Sequence, residues 1–373
     1  MAPALKPRLR VCRLLPELDF GGVESRVTLQ ASLHDRSAID LRVCGFHKPG
    51  AAAAKIREAG VAVDTLDASP AVRNPKATIA LARYLRRTRP DVLHASITEA
   101  NFHALAAAKL AGVPIVIAEE TGMSVHRLLG RMGFRLLYRA ASTVVGVTEA
   151  VCDCVRDVYW APRERVQLIY NCASPEYFPS ARHEPDPGVP PHLLAVGRLT
   201  PVKNHEFLLR AFAGVVKRRP DARLTIVGDG PLAEATAALV RQLQLNAQVE
   251  LCGYRNDVRD LLTKSRGFLL PSLSEGCSIS LIEAMATGTP ALGSNVPGIL
   301  EVLGDDLGAK WTAPSSDEAA WTRLICALLE LSPDAWRSMA LTAQARAYEL
   351  FSPSAYVQRV EALYRRLALP HAN

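Results

Sequence analysis

Short apolar runs alternate with longer amphipathic segments along most of the chain. Residues 9–15, 41–46, 61–66, 92–94, 115–118 and 143–147 are compact apolar runs that predict strands. Between them, 51–59, 78–88, 100–110 and 128–141 repeat apolar residues every three or four positions and predict helices, as does the segment with Val27, Leu29, Gln30 and Leu33. The second half repeats the scheme, with strands at 193–196, 223–231 (strand and turn), 249–254 and 267–270. Helices are expected at 207–216, 279–286 and 354–369, the first capped by Asn204. Strands alternating with helices predict parallel, doubly wound α/β sheets, which bind ligands beyond the C-terminal ends of their strands. A chain of 373 residues suits two such domains. Pro175, Pro179, Pro185, Pro187, Pro190 and Pro191 leave no room for a regular element, so 175–192 is expected to link domains at 1–174 and 193–352.

Charge is unevenly spread. Residues 1–180 hold 24 Lys+Arg against 17 Asp+Glu and residues 181–373 hold 20 of each, so the whole excess of +7 lies in the first half. That half suits an acidic acceptor or an anionic membrane surface, or is simply well solvated. Arg127, Arg131, Arg135 and Arg139 recur every fourth residue opposite Leu128, Leu129, Met132, Leu136 and Leu137, which predicts a basic amphipathic helix. Arg83, Arg86, Arg87 and Arg89 form a second basic cluster. A neutral second half without an aromatic platform argues against nucleic acid. The basic N-terminus is not followed by an apolar run, and no run reaches the ~20 residues of a membrane span, so a cytoplasmic protein is expected, with its eight cysteines reduced. Cys152-Asp-Cys154 has the wrong spacing for zinc, and no Asp-x-Asp occurs.

Candidate chemistry lies where strands give way to helices. Glu275 and Glu283 flank the start of the helix after strand 267–270, where free N–H groups favour an anion. One carboxylate there suits sugar hydroxyls and the other ribose hydroxyls. Arg198 and Lys203 sit between strand 193–196 and its helix and suit a diphosphate. Gly21-Gly22 lies between the first strand and helix and allows a ligand close to the backbone. His94, Glu119 and Glu120 lie at strand ends in the first half and are acceptor-side candidates.

Three of these stretches carry a resemblance. Pro271-Ser-Leu-Ser-Glu-Gly…Glu283-Ala-Met-Ala-Thr-Gly-Thr-Pro290, Gly197-Arg-Leu…Lys203-Asn204 and Gly21-Gly-Val-Glu24 resemble the signatures of the family-4 retaining glycosyltransferases of GT-B fold. The resemblance implies two Rossmann-like domains facing each other across a cleft, with residues 353–373 returning to the first as a helix and a hinge at the linker. It implies transfer of a sugar from a nucleotide-diphosphate sugar to a hydroxyl with retention, by same-face substitution, without a metal or other cofactor. Arg198 and Lys203 would stabilise the departing phosphate, Glu275 would orient the sugar and Glu283 hold the ribose. The backbone at Gly22, Gly276, Cys277, Ser278 and Ile279 would contact the donor, and Tyr254 and Arg255 would lie beside the base. The acceptor would be a glycan, a lipid-linked molecule or a small molecule. Where the family often has a His after strand 115–118, this chain has Glu119-Glu120-Thr121, which alters the expected sugar contact. An epimerase or hydrolase of the same fold, or a non-catalytic binder of sugar nucleotides, are the competing expectations.

Overall fold

The computed structural model describes residues 8–19, 21–122, 128–178 and 191–369. The chain divides into two compact units, residues 1–171 with 353–373 and residues 172–352.

In the first unit, strands β1 Leu9–Leu15, β2 Ile39–Gly45, β3 Ala62–Thr65, β4 Val92–Ser96, β5 Ile115–Glu120, β6 Thr143–Gly146 and β7 Val166–Leu168 form a parallel sheet in the order β3-β2-β1-β4-β5-β6-β7. The strands read as near-continuous apolar runs because helices cover both faces, and Val43, Leu93, Ile117 and Val144 are fully buried. Strand order reverses between β1 and β4, and the Gly21-Gly22 turn follows β1. Helix Pro353–Ala368 packs in this unit beside helix Gly22–Leu33. The last strand, β7, lies beyond the apolar runs read from the sequence and ends at Leu168.

The second unit holds β8 His192–Val196, β9 Arg223–Val227, β10 Val249–Leu251, β11 Gly267–Leu270, β12 Ala291–Ser294 and β13 Thr312–Ala313, again parallel, in the order β10-β9-β8-β11-β12-β13. Leu193, Leu194, Phe268 and Leu269 fill its centre. The order reverses between β8 and β11, and a doubly wound sheet binds ligands at that point, outside the strands' C-terminal ends.

Two expectations are corrected. Asn204 does not cap the following helix: its backbone is left-handed (φ 55°) and its amide reaches instead to the Ser315 carbonyl at 3.3 Å. The expected linker does not begin at Pro175, because Pro175–Tyr177 is a 3-10 turn packed against helix Ile279–Thr287 in the second unit. Proline at the first position suits such a turn, since its missing N–H has no partner to lose there. Residues 179–190 of that stretch, and Arg127 of the basic helix, lie outside the described residues. No described helix is long and apolar enough to cross a membrane.

Candidate active site

Arg198, Lys203, Glu275 and residues 276–279 lie on the loops at the strand-order reversal of the second unit, whereas Tyr254 and Arg255 follow β10 at the sheet edge. After β8, the Gly197 N–H donates to the Val227 carbonyl at 2.9 Å and the Leu199 N–H to the Asp229 carbonyl at 2.9 Å, which binds the Arg198 loop to the neighbouring strand end. Gly228 (φ 143°) makes this possible, since a Cβ there would lie 1.9 Å from the Gly197 carbonyl oxygen. The chain then enters a 3-10 turn, Pro201–Lys203. After β11, the Leu273 N–H donates to the Val202 carbonyl at 2.8 Å, so the two central loops hold each other directly.

This clasp places Lys203 against Glu275. Lys203 Nζ stands 2.5 Å from Glu275 Oε1, and buried Ser272 donates its hydroxyl to the same oxygen at 2.6 Å. The side chains are 21% and 10% exposed, so the pair is largely removed from water yet open on one side. Glu275 Oε2 takes no hydrogen bond from any described residue and is free for a ligand. The backbone at Glu275-Gly276 lies directly on Gly298, where a Cβ would come within 2.3 Å of the Glu275 carbonyl oxygen. Arg198, on the same loop as Lys203, is exposed and pairs with no described residue. Ser278 caps helix Ile279–Thr287 by accepting from the Leu281 N–H at 3.4 Å, and Cys277 beside it is buried. Exposed Arg198, the Lys203 ammonium and the start of helix Ile279–Thr287 lie on or next to these two clasped loops, and groups of those kinds suit a phosphate. Ser272 was not singled out in the sequence, although it lies in the Pro-Ser step that opens the motif. Tyr254 is 70% exposed, and Arg255 is held by Asp257, with Nε donating at 2.7 Å.

Glu283 lies on the next turn of that helix, partly buried, and accepts no hydrogen bond from a described residue. Burial first, and the nearby Glu176 carboxylate second, push its pKa up to about 8 from 4.5. Glu176 enters through the 3-10 turn, which is why its proximity was invisible along the sequence. A folded-state pKa above the unfolded value gives stability that is complete below pH 4.5 and lost as pH rises toward 8. Glu283→Gln, which cannot ionise, is therefore expected to match the parent near pH 4.5 and to melt a few degrees higher above pH 8. Thermal unfolding across that range checks this; a constant difference at all pH values would contradict it. Hydroxyl donors from any ligand that met Glu283 would favour the charged form, so such binding would release a proton and tighten as pH approaches 8.

In the first unit, Gly22 begins helix Gly22–Leu33, whose N-cap residue Gly21 offers no side chain. The Glu24 carboxylate folds back to 2.2 Å from where a Gly21 Cβ would sit, as a first-turn acid does.

His94, Glu119 and Glu120 are not presented to an acceptor; they are buried and fully engaged. The register sets Arg13 beside His94 and Ser96 beside Glu119, all on one sheet face under the two helices already described. Glu119 accepts from Arg13 Nη2 at 3.0 Å, from Ser96 at 2.6 Å and from Arg26 Nη1. Burial opposes its charge, but Arg26, His94 and Arg13 hold its pKa well below the carboxylate range. His94 Nδ1 faces Arg13 at 2.5 Å and the Tyr364 hydroxyl at 2.8 Å, while Nε2 lies 3.3 Å from Glu119. Burial and Arg13 lower its pKa to about 4, so it is neutral and donates through Nε2. Glu120 accepts from Tyr138 at 2.6 Å, Asn101 at 2.7 Å and Thr98 at 3.0 Å. Position at a strand end suggested ligand contact, whereas side-chain direction makes all three structural. Arg13, charged within an apolar run, was the available warning.

Both halves of the chain are similar to known proteins. Residues 20–177 match the family model described as Glycosyltransferase Family 4, and residues 180–346 match that described as Glycosyl transferases group 1. A UDP-Gal:alpha-D-GlcNAc-diphosphoundecaprenol alpha-1,3-galactosyltransferase of Escherichia coli is 28% identical over 61% of this chain and 63% of its own length. An N-acetylgalactosamine-N,N'-diacetylbacillosaminyl-diphospho-undecaprenol 4-alpha-N-acetylgalactosaminyltransferase of Campylobacter jejuni is 29% identical over 52% and 54%. The chain thus spans about half to under two thirds of these curated relatives. Among solved structures, a glycosyltransferase from Rickettsia africae superposes with a TM-score of 0.83 at 16% identity, covering 97% of this chain and 99% of that one. Anabaena HepE, solved with UDP and glucose, gives 0.77 at 18% identity over 95% and 99%. The chain belongs to family 4 of the glycosyltransferases, and its two doubly wound parallel sheets are those of the GT-B fold.

Proposed function

We propose that this protein transfers a sugar from a nucleotide-diphosphate sugar to a hydroxyl of a lipid-linked glycan, with retention and without a metal ion. The observation that carries the reading is the Lys203–Glu275–Ser272 group at the strand-order reversal of the second unit, with unpaired Arg198 on the same loop. Arg198 and Lys203 take up negative charge as the diphosphate departs, in the role a metal would otherwise fill. Glu275 accepts from sugar hydroxyls through Oε2, its other oxygen being fixed by Lys203 and Ser272. Glu283 accepts from the ribose diol once it loses its proton. The backbone of residues 276–279 supplies N–H donors to the phosphates, and Tyr254 stacks beside the base. The departing phosphate accepts the acceptor hydroxyl's proton on the same face of the sugar, so no protein nucleophile is required; the work of the protein is positioning and charge stabilisation.

Support for a lipid-linked acceptor comes from the two relatives named for diphosphoundecaprenol substrates. In this reading the protein is cytoplasmic and meets its lipid-linked acceptor at the membrane surface. The test is a melting-temperature panel of UDP-, GDP-, ADP- and TDP-sugars, followed by transfer assays with the one that stabilises. One class should raise the melting temperature in proportion to its affinity. No response to any of them contradicts the reading, and rearranged or hydrolysed donor without an acceptor would favour an epimerase or hydrolase.

A further inference from the structure

Glu275 is held by two donors of different kinds. Lys203 comes from the turn after β8, and its stem crosses Gly197, where an added Cβ would lie 3.4 Å from Lys203 Cδ and 3.5 Å from Cε. Ser272 stands two residues beyond the end of β11 and is fully buried. Both meet the same carboxylate oxygen, Lys203 Nζ at 2.5 Å and the Ser272 hydroxyl at 2.6 Å from Oε1.

The two donors are not equivalent. An ammonium carries three N–H groups, and Glu275 takes one, so Lys203 has donors left for an anion. A hydroxyl carries one, and Ser272 gives it to Glu275. Lys203 ends a long flexible stem and is 21% exposed, so it can shift toward a phosphate. Ser272 cannot follow, because the next residue, Leu273, is tied by its N–H to the Val202 carbonyl at 2.8 Å. A point-like ammonium also fixes distance better than direction, whereas a short buried hydroxyl fixes direction. When a diphosphate draws the ammonium away from Oε1, the Ser272 hydroxyl is the contact that stays.

We infer that Ser272 is a positioning residue, which keeps Glu275 aimed at the donor sugar while Lys203 serves the diphosphate. Recognition of the sugar and of the nucleotide is thereby divided between two donors that meet on one oxygen. The inference rests on the donor site proposed above and says how that site tells an intact donor from a bare nucleotide. The space left by a deleted hydroxyl is too small for a water, so no solvent molecule takes over the bond in Ser272→Ala.

The experiment is calorimetric titration of the parent, Ser272→Ala and Ser272→Cys with UDP, GDP, ADP and TDP, and with the glucose and galactose conjugates of each. The parent should bind one diphosphate and bind a conjugate of it more tightly. Ser272→Ala should bind the bare diphosphate as the parent does and the conjugate about tenfold to 100-fold more weakly, the worth of a hydrogen bond to a charged acceptor. Ser272→Cys, close in size but a weak donor, should behave like the alanine variant. A purely structural Ser272 would instead loosen the clasp beside it, so both ligands would weaken together and the melting temperature would fall. That outcome, a cysteine variant restored to the parent's affinity, an alanine variant that binds both ligands as the parent does, or a parent that gains nothing from either sugar would each overturn the inference alone. A parent that binds no diphosphate and no conjugate would overturn the donor site and this inference with it.

Discussion

Lys203→Ala is expected to lower the transfer rate by roughly 10²–10³-fold at saturating donor. The ammonium is fixed at 2.5 Å from Glu275 and belongs to the turn that clasps the neighbouring loop, so in the proposed reaction it would meet the charge that develops as the diphosphate leaves. Removing it also frees the Glu275 carboxylate, leaving Ser272 alone to orient it. Rate should fall more than donor affinity, because the interaction strengthens as the bond breaks. The melting temperature should stay near the parent's, since a pair with an open side contributes little to folding. Initial rates at saturating donor, with melting curves on the same samples, decide this. A variant that turns over within a few-fold of the parent would remove Lys203 from the chemistry.

The second large effect is on folding. Glu119→Ala is expected to destabilise the first unit by roughly 3–5 kcal/mol, because it leaves a buried pair of like charges without a counter-ion. Arg13 and Arg26 are 0% and 1% exposed and share this one carboxylate, while His94 is neutral and contributes no opposing charge. Arg13 Nε, Arg26 Nε and Arg26 Nη2 already lack hydrogen-bond partners in the buried network, so nothing nearby takes over. The network also anchors helix Pro353–Ala368 through Tyr364, which accepts from Gln30 at 3.3 Å and contacts His94. Denaturant unfolding should show the loss. An acceptor-side role would instead predict normal stability with altered acceptor use, so the two outcomes separate a structural from a functional Glu119.

Much of the fold could be seen in the chain because parallel strands buried on both faces write themselves as apolar runs. β1 and β11 begin and end where the pattern of apolar residues does. The edges were less visible: β13 is two residues long, and β7 stops before an apolar run that continues as loop. In the site, Lys203 and Glu275 were recognisable from their loops, but their direct contact depends on the Val202–Leu273 hydrogen bond, which spans 71 positions. Ser272 and Glu176 were missed because each acts on a carboxylate through a turn whose course local sequence does not reveal. His94 and Glu119 misled for a related reason. A strand-end position says that a ligand is near, but which way a side chain points depends on pairing, and here pairing turns both toward Arg13. Asn204 shows the limit of capping rules: the residue type fits, but a left-handed backbone sends the amide elsewhere.

Nucleotide recognition is proposed for the loop pair at the reversal point of the second unit. The most direct measurement is calorimetric titration of the four nucleoside diphosphates into the parent and into Arg198→Ala/Lys203→Ala. Saturable binding of one diphosphate to the parent, weakened by roughly 100-fold or more in the double variant with the fold intact, is the predicted result. Equal affinity in parent and variant, or no binding to the parent, would contradict it.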